Sequence, residues 1–157
     1  MFNELIDQQN EIMANFHCEL KVDYPHNLKI VWDKTRIEQV FINLLNNAVK
    51  YAPGKIEITV REENEKVIIK VKDYGKGIPQ EKLNFIFDRF ERATSNLNVS
   101  GLGLGLYIVK QIVEGHQGKI EVHSETELGT CFTITLPKKA VKVETLSPFS
   151  YQPEIQN

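Results

Sequence analysis

The run Ser100-Gly101-Leu102-Gly103-Leu104-Gly105-Leu106 places three alternate glycines at the start of an apolar, helix-patterned segment. Two further stretches precede it, Asn43-Leu44-Leu45-Asn46-Asn47-Ala48-Val49-Lys50-Tyr51 and Asp73-Tyr74-Gly75-Lys76-Gly77-Ile78-Pro79. Backbone N–H groups at a helix start, reinforced by the helix dipole, favour an anion. Two familiar phosphate loops are excluded by spacing. No Gly-Lys-Ser/Thr follows, as a Walker loop requires. The pattern is G-x-G-x-G without a strand directly before it, so it is not a dinucleotide fingerprint either. Taken alone, the run also fits plain turn geometry.

The surrounding chain sets the fold class. One hundred and fifty-seven residues suit one domain with a real core, and 41% hydrophobic with 25% charged content is ordinary for a globular chain. Net charge is −2 with both signs interspersed, which argues against a nucleic-acid partner. No apolar run approaches the roughly 18 to 20 residues that span a bilayer. Cys18 and Cys131 lack metal-type spacing and read as buried small apolar residues in a reducing compartment.

Phe2, Leu5, Ile6, Ile12, Met13 and Phe16 follow helical spacing and predict a helix over 2–15. Strands are predicted at Glu19–Val22 and Lys29–Trp32, joined by a turn at Tyr24-Pro25-His26-Asn27. Asp33 caps a helix running to Tyr51, which Pro53-Gly54 stops. Ile56, Ile58, Val60 and Val67, Ile69, Val71 alternate with polar neighbours around Asn64, the pattern of a hairpin. Pro79 opens a short helix to about Phe87, a polar loop follows, and then come a helix at Leu104–Glu114 and a second hairpin, Gly118–Ser124 with Thr130–Leu136. This mixture predicts a two-layer α/β sandwich, its mostly antiparallel sheet covered by helices on one face. The expected domain is 1–137, with its core at about 28–136; residues 138–157 read as a disordered tail.

The chemistry lies in the three stretches. On the first long helix Ile37, Phe41, Leu44, Leu45 and Ala48 share the core arc, whereas Asn43, Asn47, Lys50 and Tyr51 gather on a neighbouring one. An amide oxygen is a neutral hard ligand for Mg²⁺, an amide nitrogen donates to phosphate, Lys50 adds charge, and Tyr51 offers a face to a base. A solvated helix face is the plainer account of the same residues. Asp73 can accept from an exocyclic amine, and Gly75 and Gly77 let backbone approach a flat base; a simple turn aspartate is the alternative. Residues 88–100 are polar and read as a mobile lid over the nucleotide, or as an ordinary loop.

Together and in this order, the stretches resemble the N, G1 and G2 boxes of the GHKL ATPases, over roughly Leu28 to Leu136. Phe87-Asp88-Arg89-Phe90-Glu91-Arg92 is similar to the F box of bacterial sensor histidine kinases. The resemblance implies the catalytic, ATP-binding domain of such a kinase, with ATP and Mg²⁺ as its cofactors. It assigns Mg²⁺ to Asn43, phosphate to Asn47, and the phosphates and pocket wall to Lys50 and Tyr51. Asp73 specifies adenine, Ile78 packs on the base, and Gly75 and Gly77 admit it. Gly101, Leu102, Gly103, Leu104, Gly105 and Leu106 surround the phosphates, Thr130 lies at the pocket floor, and Arg92 meets the γ-phosphate with Arg89 as its competitor.

None of the four histidines, His17, His26, His116 and His123, stands in a phosphoacceptor sequence of the His-Glu-Leu-Arg-Thr-Pro kind. The resemblance therefore implies a monomeric fragment that works with a separate dimerisation and phosphoacceptor domain and a response regulator, and that carries no catalytic base itself. It places the domain in the cytoplasm, without direct membrane contact; anchoring of the full-length protein in the inner membrane stays open. An anti-sigma-factor serine kinase shares the fold, usually without this F box. A chaperone-type ATPase, with Glu38 as its acid, and a non-catalytic interaction module are further alternatives.

Overall fold

A computed structural model describes residues 2–90 and 103–140. Helix α1 (Phe2–Asn15) leads into strand β1 (Glu19–Asp23). Asp33 then caps α2 (Lys34–Tyr51), its carboxylate accepting from the Arg36 N–H at 3.1 Å. The hairpin β2 (Lys55–Glu63) and β3 (Lys66–Asp73) turns at Asn64, which adopts φ +54°, a conformation asparagine tolerates better than most residues. Helices α3 (Gln80–Leu83) and α4 (Gly105–Gly115) follow, and β4 (Lys119–Glu125) with β5 (Gly129–Pro137) completes the order.

The strands form one sheet in the order β1-β2-β3-β5-β4, with β1 parallel to β2 and every other pairing antiparallel. Period-two alternation sends Ile56, Ile58 and Val60, Val67, Ile69 and Val71, and Phe132, Ile134 and Leu136 to a single buried face. The expected α2 arc (Ile37, Phe41, Leu44, Leu45, Ala48) packs on it, beside Val109 and Val113 of α4 and Met13 of α1. This is the two-layer sandwich predicted from the alternation. The other sheet face carries Lys70, Lys72, Lys119 and Glu121 and stays exposed. Among the described residues no helix is long and apolar enough to cross a membrane.

Three local expectations change. Lys29–Trp32 is not a strand of the sheet: β1 pairs with β2, and Val31 makes an isolated bridge to Lys139. Leu28, Ile30 and Trp32 are half-buried against the core, so their alternation records one-sided packing rather than ladder pairing. The Trp32 indole donates to the Pro137 carbonyl at 2.7 Å, tying this extended segment to the end of β5. The helix opened by Pro79 lasts only four residues. Beyond it the Phe85 N–H bonds Lys82 and the Asp88 N–H bonds Phe85, each three residues back; these tight turns bury Ile86 and set Phe87 edge-on against Phe132. Cys18 is buried as expected, but Cys131 is only half-buried on the open face.

Candidate functional site

Asp73 closes β3 at the edge of the covered face. Register pairs Lys72 with Cys131, which brings Thr130 next to Asp73. The Thr130 N–H donates to Asp73 Oδ1 at 3.1 Å, and the Gly75 N–H donates to the same oxygen at 3.0 Å. Both backbone donors thus meet Oδ1, and Oδ2 takes no hydrogen bond from the described residues. Burial raises the Asp73 carboxyl above the usual aspartate value, against the pull of the two N–H donors.

The loop after Asp73 is held from both sides. A Cβ on Gly75 would overlap Ala52 at the end of α2. Gly77 adopts φ +73°, and a Cβ there would run into the Glu125 carbonyl, so only glycine fits without strain. The Ile78 N–H donates to Ser124 Oγ at 2.7 Å, and the Gln80 amide donates to the Ser124 carbonyl at 3.0 Å. Ser124 Oγ also reaches the Gly129 carbonyl at 3.0 Å and Thr130 Oγ1 at 2.9 Å.

The amide stripe of α2 meets the start of α4. A Cβ on Gly105 would lie 4.0 Å from both Asn43 Cγ and Asn47 Oδ1. Among the described residues no side chain caps α4 at Leu104, and the first N–H groups of a helix have open valences that bind anions. Asn43 Nδ2 is buried and has no hydrogen-bond partner among the described residues. A buried, unsatisfied amide is costly, and here it borders a helix start, where anions are favoured. Turned about its last torsion, the same amide presents its oxygen. The donor set therefore suits Mg²⁺ bound beside phosphate, with few protein ligands. Among the described residues no cluster of three or more His, Cys, Asp or Glu side chains could hold a metal on its own.

The structure thus gathers Asp73, Gly75, Gly77 and Thr130 in one group, and Asn43, Asn47, Leu104 and Gly105 in another. Lys50 and Tyr51 are exposed on the last turn of α2, immediately before Ala52. Ile78 and Leu106 pack partly on the core, so the backbone N–H is what Leu106 offers at the start of α4. Gly103, at φ +69°, receives the Phe90 N–H on its carbonyl at 3.0 Å. Arg89 stacks on Tyr107, 4.7 Å from the ring centre, and donates to its hydroxyl at 2.9 Å. Arg92, Gly101 and Leu102, most of the expected lid, and residues 141–157 lie outside the described residues.

Ser124 and Gln80 also belong to this loop's support, although their spacing alone does not mark them. One signal was available: Ile120, Val122 and Ser124 share a strand face, and a hydroxyl ending an inward alternation must find buried partners.

Comparison with known proteins places this geometry. The family described as "Histidine kinase-, DNA gyrase B-, and HSP90-like ATPase" matches residues 32–140. The "Adaptive-response sensory kinase SasA" of Rippkaea orientalis is 36% identical over 138 residues, covering 85% of this chain and 35% of the relative. The chain thus spans about a third of the length of that curated relative. The solved catalytic domain of histidine kinase ThkA, in a nucleotide-free form, superposes with a TM-score of 0.75 at 33% identity, covering 88% of this chain and 93% of that one. Full-length ShkA in complex with AMPPNP gives a TM-score of 0.73 at 25% identity, over 90% of this chain and 31% of that one.

Proposed function

The chain belongs to the histidine kinase-, DNA gyrase B- and HSP90-like ATPase family, and we propose that it is the ATP-binding catalytic domain of a sensor histidine kinase. It holds Mg·ATP and presents the γ-phosphoryl group to a histidine on a separate phosphoacceptor and dimerisation domain, which in turn serves a response regulator. The domain works in the cytoplasm. The sensor-kinase relatives favour this over a serine kinase or a non-catalytic module.

One observation carries the reading. Asn43 Nδ2, buried and without a hydrogen-bond partner among the described residues, lies beside the start of α4, while Asp73 Oδ2 takes no hydrogen bond from the described residues and is left for a donor on the base. Phosphoryl transfer needs positioning and charge stabilisation more than covalent help from protein. Asp73 accepts from the adenine amine, and Gly75 and Gly77 bring backbone against the ring. Asn47, Lys50 and the first N–H groups of α4 orient the phosphates. Asn43 is the residue that would hold Mg²⁺, whose contribution is neutralisation of phosphate charge. Arg92 reaches the γ-phosphate. Arg89, engaged with Tyr107, is left to brace the F-box turn.

Calorimetry with ATP and GTP, each with Mg²⁺ and with chelator, tests this. Uptake of ATP but not GTP, strengthened by Mg²⁺, is the expected result. A folded chain that binds neither nucleotide would overturn it.

A further inference from the structure

Ser124 is buried on β4, 1% exposed, among three polar partners. The Ile78 N–H donates to its Oγ at 2.7 Å, the Gly129 carbonyl oxygen lies at 3.0 Å, and Thr130 Oγ1 lies at 2.9 Å. A hydroxyl has one proton and two lone pairs. The Gly129 carbonyl has no proton to give, so its contact is attractive only when the Ser124 proton points at it. With that proton committed, the contact to Thr130 must run from the Thr130 O–H to Ser124 Oγ. The Ile78 N–H fills the remaining lone pair. Proton order along the chain Thr130, Ser124, Gly129 is therefore fixed.

We propose that Ser124 is a specificity-determining positioning residue: by taking the one hydroxyl proton of Thr130 it makes Thr130 Oγ1 solely an acceptor, so the pocket floor selects a 6-amino purine over a 6-oxo purine. The inference rests on the ATP reading above. Asp73 Oδ2 supplies the second acceptor of the floor. In direct contact an amino group brings two protons to two acceptors, whereas a 6-oxo group brings only lone pairs. Acceptor facing acceptor, out of water, is rejected strongly. Without Ser124 the Thr130 hydroxyl turns freely and can donate to the 6-oxo group.

The test is titration of Mg·ATP and Mg·ITP into the parent chain, Ser124→Ala, Thr130→Val and the double variant. The parent prefers ATP. Each single variant lowers the ATP-to-ITP affinity ratio by roughly fivefold or more. The double variant loses no more of the ratio than Thr130→Val alone, because both act through one hydroxyl. An intact ratio in Ser124→Ala, with both affinities lowered equally, marks a merely structural serine and overturns the proposal. Losses that multiply in the double variant do the same. Should Ser124→Ala not fold, Thr130→Val still decides, since it leaves the Ser124 bonds to Ile78 and Gly129 in place; an unchanged ratio there overturns the proposal. A parent that takes up neither nucleotide overturns the ATP reading itself.

Discussion

At the scale of single residues, Asp73 does two jobs with its two oxygens. Oδ1 gathers the Gly75 and Thr130 N–H groups, and Oδ2 is the acceptor that the proposed function assigns to the base. Asp73→Asn preserves one carbonyl-type acceptor for the backbone but can turn a donor toward the adenine amine. Loss of a hydrogen bond to a charged acceptor costs on the order of 1.5–3 kcal/mol, so ATP affinity should fall roughly 10- to 150-fold in a chain that still folds. The pH dependence follows from burial, which raises this carboxyl above its ordinary 3.8. Its contribution to the stability of the free fold is fully present below 3.8 and is lost as pH rises through the raised value. An amine donor favours the ionised form, so binding lowers the pKa and strengthens as pH rises through that window. Titrations from acid to neutral pH should show this slope in the parent and its loss in Asp73→Asn; equal slopes would remove Asp73 from the base site. Asn43→Ala tests the proposed Mg²⁺ ligand. It should abolish the Mg²⁺-dependent gain in ATP affinity while sparing binding in chelator, and an unchanged metal dependence would place the Mg²⁺ ligand elsewhere.

At the scale of elements, the sequence was most readable where one periodicity served one purpose. Ile56, Ile58 and Val60 alternate because one face of β2 is covered, and the structure buries all three. Asp33 was legible as a cap because its role is local: its Oδ1 meets the Arg36 N–H three residues on. Asp33→Ala should therefore cost about 1 kcal/mol, within roughly 0.5–2 kcal/mol. Urea denaturation would measure it, with nucleotide affinity expected to stay close to the parent's; a midpoint that does not move would deny the cap any energetic role. The sequence misled where alternation and pairing part company. Lys29–Trp32 alternates, yet its partner proved to be the segment after β5, about a hundred residues away. Ser124 went unread for a related reason: its three partners come from the Ile78 loop and from Gly129 and Thr130, and only the fold assembles them. The glycines at 75 and 77 were legible as points of close approach. That Ala52 and the Glu125 carbonyl are what they approach was not.

At the scale of the whole molecule, the position of the histidines relative to the cleft decides what the chain can do to itself. The proposed phosphate site is the start of α4, beside Asn43 and Asn47. His116 caps the opposite end of that eleven-residue helix, about 16 Å away at ~1.5 Å per residue. It is also buried, with Nδ1 2.7 Å from the Ile112 carbonyl. His123 projects from the open face of the sheet and contacts Glu125. His17 and His26 are exposed in the turns on either side of β1. His116, at the far end of α4, and His123, on the opposite sheet face, are not in line with a phosphate at the start of α4, and His17 and His26 belong to no phosphoacceptor sequence. The proximity and orientation worth ~7–11 kcal/mol in a positioned transfer are therefore missing for self-reaction. This chain should bind ATP, take up no stable phosphate of its own, and phosphorylate a matching histidine domain supplied in trans. Incubation with γ-labelled ATP, alone and with that domain, distinguishes the outcomes. Acid-labile label at stoichiometric level on His17, His26, His116 or His123 of the isolated chain would mean that a nucleophile reaches the cleft by a route this geometry does not contain.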